Sequence, residues 1–134
     1  MKFKIANDGT DSIMVKDLYI SSSAGTVTLY KGEITTESER ISAHGASVTS
    51  GSAIAVDQQA TKLEIAAGQT VTILADLDGI VTGDSNTINV TLNDIAYFEK
   101  IQGTYSTTAI TSIKSYNGTG LPASTSFSHG AGAY

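Results

Sequence analysis

The chain contains no cysteine and no tryptophan, and only one proline (Pro122), one arginine (Arg40) and two histidines (His44 and His129) in 134 residues. Without cysteine there is no disulfide, no thiolate metal site and no thiol nucleophile. Charge is sparse as well: 16% of residues are charged and the formal net charge is −5. The basic residues Lys2, Lys4, Lys16, Lys31, Arg40, Lys62, Lys100 and Lys114 are scattered. No basic footprint for a phosphate backbone results, which argues against nucleic acid as a partner. Nowhere does an apolar run approach the roughly 20 residues of a membrane-spanning helix, and MKFKIANDGT lacks a signal-peptide apolar region. The expected chain is therefore cytoplasmic, virion-borne, or a mature product whose leader has been removed.

What the sequence does have is hydroxyl groups and alternation. Ser and Thr supply about a quarter of the chain, well above an ordinary background. Thr, Val, Ile and Tyr favour strands, whereas Ser, Gly, Asn and Asp favour turns, so the composition predicts an all-β fold. The stretch that organises this reading is Lys62 to Gly79. Leu63 and Ile65 alternate with Lys62 and Glu64, Ala67-Gly68-Gln69 breaks the run, and Val71, Ile73, Ala75 and Leu77 then alternate with Thr72, Leu74, Asp76 and Asp78. Period-two alternation is what a half-buried strand requires. The stretch reads as a hairpin.

Other strands follow the same rule. Met1, Phe3 and Ile5 alternate with Lys2 and Lys4 up to a reversal signal at Asn7-Asp8-Gly9. Between Ser12 and Ile20 the apolar parity changes from Ile13 and Val15 to Leu18 and Ile20; a bulge near Lys16-Asp17 would reconcile the halves, the alternative being burial on both faces at the middle of the strand. Further runs are Thr26 to Lys31, Ile54 to Val56, Thr87 to Asn93, Ile95 to Ile101 beyond a turn at Asn93-Asp94, and Thr108 to Lys114. Glu33 to Arg40 reads as an exposed edge, with a helical alternative because Thr36 and Glu39 have capping-box spacing. About eight short strands between turn signals predict a β-sandwich or barrel over residues 1–115. The Ser/Gly/Ala-rich residues 116–134 predict a loosely packed C-terminal tail, on the sandwich or on a neighbouring subunit.

Two stretches carry a family resemblance. Asn7 to Ile20 (NDGTDSIMVKDLYI) and Leu63 to Ile73 (LEIAAGQTVTI) resemble the opening and the Gly-turn hairpin of immunoglobulin-like modules in prokaryotic surface proteins. Such modules occur in pilin and flagellin ectodomains, surface-layer proteins and adhesion repeats. The resemblance covers roughly the first 95 residues and implies an immunoglobulin-like antiparallel β-sandwich in an extracellular or cell-surface assembly. The long N-terminal apolar helix of type IV pilins and archaeal flagellins is missing. A filament of this chain would then rely on strand exchange, with Met1, Phe3 and Ile5 as the candidate donor strand. The alternative for that segment is an ordinary first strand in its own sheet.

Residues able to carry chemistry are few. Asp76 and Asp78, followed by Gly79 and then Asp84, form the candidate calcium site, since Ca²⁺ takes several oxygen ligands on a turn. No Glu follows at EF-hand spacing, and turn preference alone accounts for these aspartates. Asn89-Val90-Thr91 and Asn117-Gly118-Thr119 match the N-glycosylation sequon, making Asn89 and Asn117 candidate glycan acceptors. His44 and His129 lie in Gly/Ala-flanked loops, with no nucleophile elbow and no phosphate-binding loop anywhere in the chain. Neighbours Tyr97 and Phe98 must point to opposite faces of their strand, so one of them is available for a sugar or an interface. The expected function is a non-enzymatic structural subunit of a self-assembling filament or surface layer, with copies of itself as partner and no cofactor other than calcium. Alternatives are a virion structural protein (capsid decoration or tail) and a carbohydrate-binding or adhesin module.

Overall fold

A computed structural model describes residues 2–48, 52–79, 87–110 and 123–128. Ten strands occur among them: β1 (Lys2–Ala6), β2 (Ile13–Ser22), β3 (Thr26–Lys31), β4 (Ala46–Ser47), β5 (Ala53–Ala55), β6 (Glu64–Ile65), β7 (Thr70–Asp78), β8 (Thr87–Ile101), β9 (Thr104–Tyr105) and β10 (Ala123–Ser128). Every pairing among these strands is antiparallel. The first sheet has the order β1-β7-β3-β4, and the second β10-β8-β2-β5, with β6 also on β2 and β9 on β8. The protein is all-β, as its composition predicts. The helical reading of Thr36–Arg40 is met only by a single 3-10 turn, Glu37–Glu39, and the Thr36 side chain makes no capping bond there.

One core lies between the sheets. Ile5, Val27, Leu29, Ile73 and Ala75 come from the first; Val15, Leu18, Ile20, Ile88, Val90, Leu92 and Ile95 come from the second. Ile41, Val48, Ile54, Val56, Leu63 and Ile65 fill its borders. Burying a Val, Leu or Ile side chain contributes about 1.5–3 kcal/mol. These residues are the inward parities that alternation selects.

The organising stretch, however, is not a hairpin. β6 pairs with β2 in the second sheet, while β7 lies between β1 and β3 in the first. The turn Ala66–Gln69 therefore carries the chain from one sheet to the other. Gly68 holds φ +75° there, a left-handed conformation that suits glycine, and Gln69 N–H donates to Ala66 O at 3.0 Å. The Asn7-Asp8-Gly9 reversal is likewise a crossing, because β1 and β2 lie in different sheets. Ser23–Gly25 makes a third crossing, between β2 and β3. The physical reason is shared: a turn signal specifies that the chain bends, whereas the pairing partner is chosen by burial elsewhere.

Two register shifts shape the second sheet. Val15 is level with Tyr97 and Asp17 with Ala96, so Lys16 is the extra residue where the parity change predicts a bulge. The second shift corrects the turn expected at Asn93-Asp94. β8 runs unbroken for 15 residues, and Asn93 is its inserted residue, since Tyr19 is level with Asp94 and Ile20 with Leu92. Asn93 Nδ2 donates to Ser21 Oγ at 3.0 Å, and Asp94 Oδ1 accepts Ile95 N–H at 2.8 Å. Turn-forming side chains thus stabilise a bulge inside a strand, which flips the inward set from Ile88, Val90 and Leu92 to Ile95 and Tyr97. Part of the expected tail is also strand: β10 pairs along β8 from Ala123↔Leu92 to Ser128↔Thr87. Of the strand expected over Thr108 to Lys114, the portion beyond Ile110 lies outside the described residues.

Candidate functional site

The outward faces of the two sheets carry the side chains left over from the core. On the first sheet, alternation turns Lys2 and Lys4 out from β1, Thr72, Leu74, Asp76 and Asp78 out from β7, and Thr28 and Tyr30 out from β3. Register sets them in rows. Lys2, Leu74 and Tyr30 are level with one another, and Arg40 bridges to Tyr30 beyond them. Lys4 is level with Thr72, Asp76 with Thr28, and Asp78 with Thr26. One end of this face is basic and the other acidic. Lys2, Lys4, Asp76 and Asp78 are exposed, and among the described residues none of them forms a salt bridge.

The rim beside Tyr30 is held by a polar cluster. Arg40 Nε donates to Glu37 Oε1 at 2.7 Å, and its Nη1 donates to Ser42 O and, at 3.2 Å, to Gln59 Oε1. His44 Nε2 stands 3.3 Å from the same Glu37 oxygen. The Arg40 hydrogen bond, with smaller help from the Arg40 and His44 charges, holds the Glu37 carboxyl below its usual range. Tyr30 is pushed the other way, chiefly by burial and then by the Glu37 and Asp76 carboxylates. This arrangement ties the segment around Glu37 to the 57–62 loop, where Thr61 Oγ1 donates to Ser38 O at 2.7 Å. Its role is to hold two loops together.

The outward face of the second sheet is more apolar. Met14 is level with both Phe98 and Glu64, Tyr19 is level with Ala53 and Asp94, and Tyr105 is level with Lys100. Met14, Tyr19, Phe98 and Tyr105 are all half-buried. Lys100 Nζ lies 5.5 Å from the centre of the Tyr105 ring, in cation–π range. Burial, then the charge of Glu64 and its hydrogen bond, raise the Tyr105 phenol above its ordinary value. Tyr97 and Phe98 do take opposite faces: Tyr97 packs on the core, and burial followed by Glu99 raises its phenol.

The residues singled out from the sequence are dispersed over this framework. Asp76 and Asp78 occupy successive outward positions at the end of β7, and Asp78 Oδ1 accepts the Gly79 N–H at 2.8 Å, closing the turn. Asp84 lies outside the described residues, and among those described no group of three or more His, Asp or Glu is placed to hold a metal ion. Phe3 and Ile5 face the core from β1, which pairs with β7 of the same chain from Lys2↔Leu74 to Ala6↔Thr70; Met1 is outside the described residues. Asn89 is exposed on β8, while Asn117 and His129 fall outside the described residues. Among the described residues no helix is long and apolar enough to cross a membrane.

Sequence reasoning missed the convergence of Lys2, Lys4, Asp76 and Asp78 on one face. Alternation does place each of them outward, but only the β1–β7 register, spanning some seventy residues, makes them neighbours. Comparison of the chain with protein-family models, curated proteins and solved structures found no match in any of the three.

Proposed function

We propose that this chain is a non-enzymatic structural subunit that associates with copies of itself through its β-edges, in a filament or surface layer on the outside of a cell. The observation that carries this reading is the position of β1. Among the described residues it is the edge strand of the first sheet, held by its ladder to β7 and by two inward side chains, Phe3 and Ile5. A strand of that kind is the piece that a neighbour can supply in donor-strand complementation. The finer reading of the two-sheet architecture is an immunoglobulin-like sandwich, and it rests on the resemblance of Asn7 to Ile20 and Leu63 to Ile73 to surface-protein modules.

Negative-stain microscopy of the concentrated protein tests the proposal, the expected result being long particles or sheets. A chain lacking residues 1–6 should lose them and should bind a peptide of residues 1–6 added in trans. A chain that stays monomeric at every concentration refutes the assembly reading. One that polymerises without residues 1–6 refutes the donor strand alone.

A second reading is favoured by the level, half-buried pair Met14 and Phe98 on the second sheet, with half-buried Tyr105 one outward position further along at Lys100. Aromatic faces flanked by charged groups such as Glu64 and Lys100 suit a carbohydrate ligand. Retention on a polysaccharide column, lost in Phe98→Ala, is the outcome that reading requires. For calcium at Asp76, Asp78 and Asp84, the expected sign is a melting temperature that falls when chelator is added.

A further inference from the structure

We infer that the outward face of the first sheet docks face to face on the same face of a second copy, through a two-fold axis that sets the Lys2/Lys4 end of one copy on the Asp76/Asp78 end of the other. This contact rests on the self-assembly reading and is one that strand exchange does not use.

Register provides the geometry. Along β7 the outward positions are Thr72, Leu74, Asp76 and Asp78, and β1 sets Lys4 level with Thr72 and Lys2 level with Leu74. Two basic rows are thus followed by two acidic rows, evenly spaced at about 7 Å because outward positions recur every second residue. The midpoint of these four rows is level with Ala75, itself inward and buried. Consider a two-fold axis parallel to the face at that level, perpendicular to the strands. It carries the Leu74 row onto the Asp76 row and the Thr72 row onto the Asp78 row. Lys2 of each copy then meets Asp76 of the other, and Lys4 meets Asp78.

Every contact occurs twice, as a two-fold interface demands. β1 and β7 are adjacent strands, so the lateral offset between a lysine and its aspartate is only about 4.8 Å, and a flexible lysine stem spans that readily. Half-buried Leu74 of each copy then lies over the Asp76 row of the other, while Thr28 and Tyr30 on β3 are already buried within the chain and add no contact. The Arg40 guanidinium is already taken by Glu37, so it leaves the balance of two cations against two anions undisturbed.

The same pattern excludes the other in-plane axis. A two-fold along the strands would set lysine over lysine and aspartate over aspartate, and like charges in opposition disfavour that orientation. The four charges therefore specify one docking orientation, and they do so with side chains that have no ion partner within the chain among the described residues.

Charge reversal in two complementary variants tests this on the full chain. Lys2→Glu with Lys4→Glu makes the face wholly acidic, and Asp76→Lys with Asp78→Lys makes it wholly basic. All four positions are exposed, so both variants should keep the fold, which unchanged circular dichroism and melting temperature would check. In sedimentation velocity at low salt, the unaltered chain should show a dimer that dissociates in concentrated salt, since about 1 M salt screens charges within about 3 Å. Each variant alone should lose that dimer, and an equimolar mixture of the two should restore it as a heterodimer. A variant that still self-associates as the unaltered chain does, or a mixture that stays monomeric, overturns the proposal. Filaments formed by both variants as well as the parent would leave the assembly reading standing while removing this face from it. An unaltered chain that is monomeric at low salt overturns this contact, and one that stays monomeric at every concentration overturns the assembly reading as well.

Discussion

The side-chain amide of Asn7 donates to the backbone carbonyl of Ile65 at 2.9 Å, joining the end of β1 to the end of β6 across 58 positions of sequence. The same amide nitrogen donates to Asp11 O at 2.8 Å, and Asn7 Oδ1 accepts Gly9 N–H at 3.1 Å. Its backbone is paired as well: the N–H donates to Gln69 O, and the carbonyl accepts from Gly68 N–H. One buried side chain thereby connects two separate sheet-crossing turns. Asn7→Ala should destabilise the fold by about 1–3 kcal/mol, the usual cost of leaving buried polar partners unsatisfied. Asn7→Asp should cost more, because a carboxylate would face the carbonyl oxygens of Asp11 and Ile65. Urea unfolding of the two variants checks both the sign and the order.

The bulge at Lys16 makes a prediction about length and not about identity. Lys16 is partly exposed, and its carbonyl accepts the Val56 N–H at 2.8 Å, so the backbone matters more than the side chain. Lys16→Ala should change stability by no more than about 0.5 kcal/mol, as surface substitutions do. Deleting Lys16 should abolish cooperative unfolding, because one residue fewer turns either Ile13 and Val15 or Leu18 and Ile20 away from the core. Thermal melts of the two variants separate these outcomes.

Two turns carry opposite expectations at positive φ. Gly68 has φ +75° with nothing within 4 Å of the position an added Cβ would take, so Gly68→Ala meets no clash and carries only the left-handed backbone cost of about 1–2 kcal/mol. Gln102 holds φ +51° beside Gly103 at +82°, the two-residue hairpin pattern between β8 and β9 that favours Asn-Gly. Gln102→Asn should therefore stabilise the protein by a few tenths of a kcal/mol, about 0.5 at most. Equilibrium unfolding should show the two variants moving in opposite directions.

Stability should fall on the alkaline side. Tyr30, Tyr97 and Tyr105 all hold their phenolic protons more tightly in the fold than the ordinary value of about 10, with burial the leading cause in each. The unfolded chain then loses these protons first, so the contribution is complete below about pH 10 and is lost as pH rises through the folded-state values. Unfolding free energy measured against pH should decline above about 10, and Tyr30→Phe should lessen that slope.

Alternation, turn residues and parity were enough to identify the all-β class and the inward residues from Ile5 to Leu92, and to place the parity change at Lys16-Asp17 that the register resolves as a bulge, because each depends on which side of a strand successive residues take. That property is local, with a period of two, and a single chain segment displays it. Pairing partners are not local. Leu63 to Ile73 bends in the same way whether its strands pair with each other or with strands in two sheets, and only the competition for burial sent β6 to β2 and β7 between β1 and β3. Asn93-Asp94 likewise has turn chemistry but serves as a bulge, since β2 supplies a continuous partner on both sides of it. The charged face has the same origin. The sequence by itself turned Lys2, Lys4, Asp76 and Asp78 outward; the β1–β7 ladder alone decided that they share one surface, because a register between segments some seventy residues apart is chosen by the core beneath it.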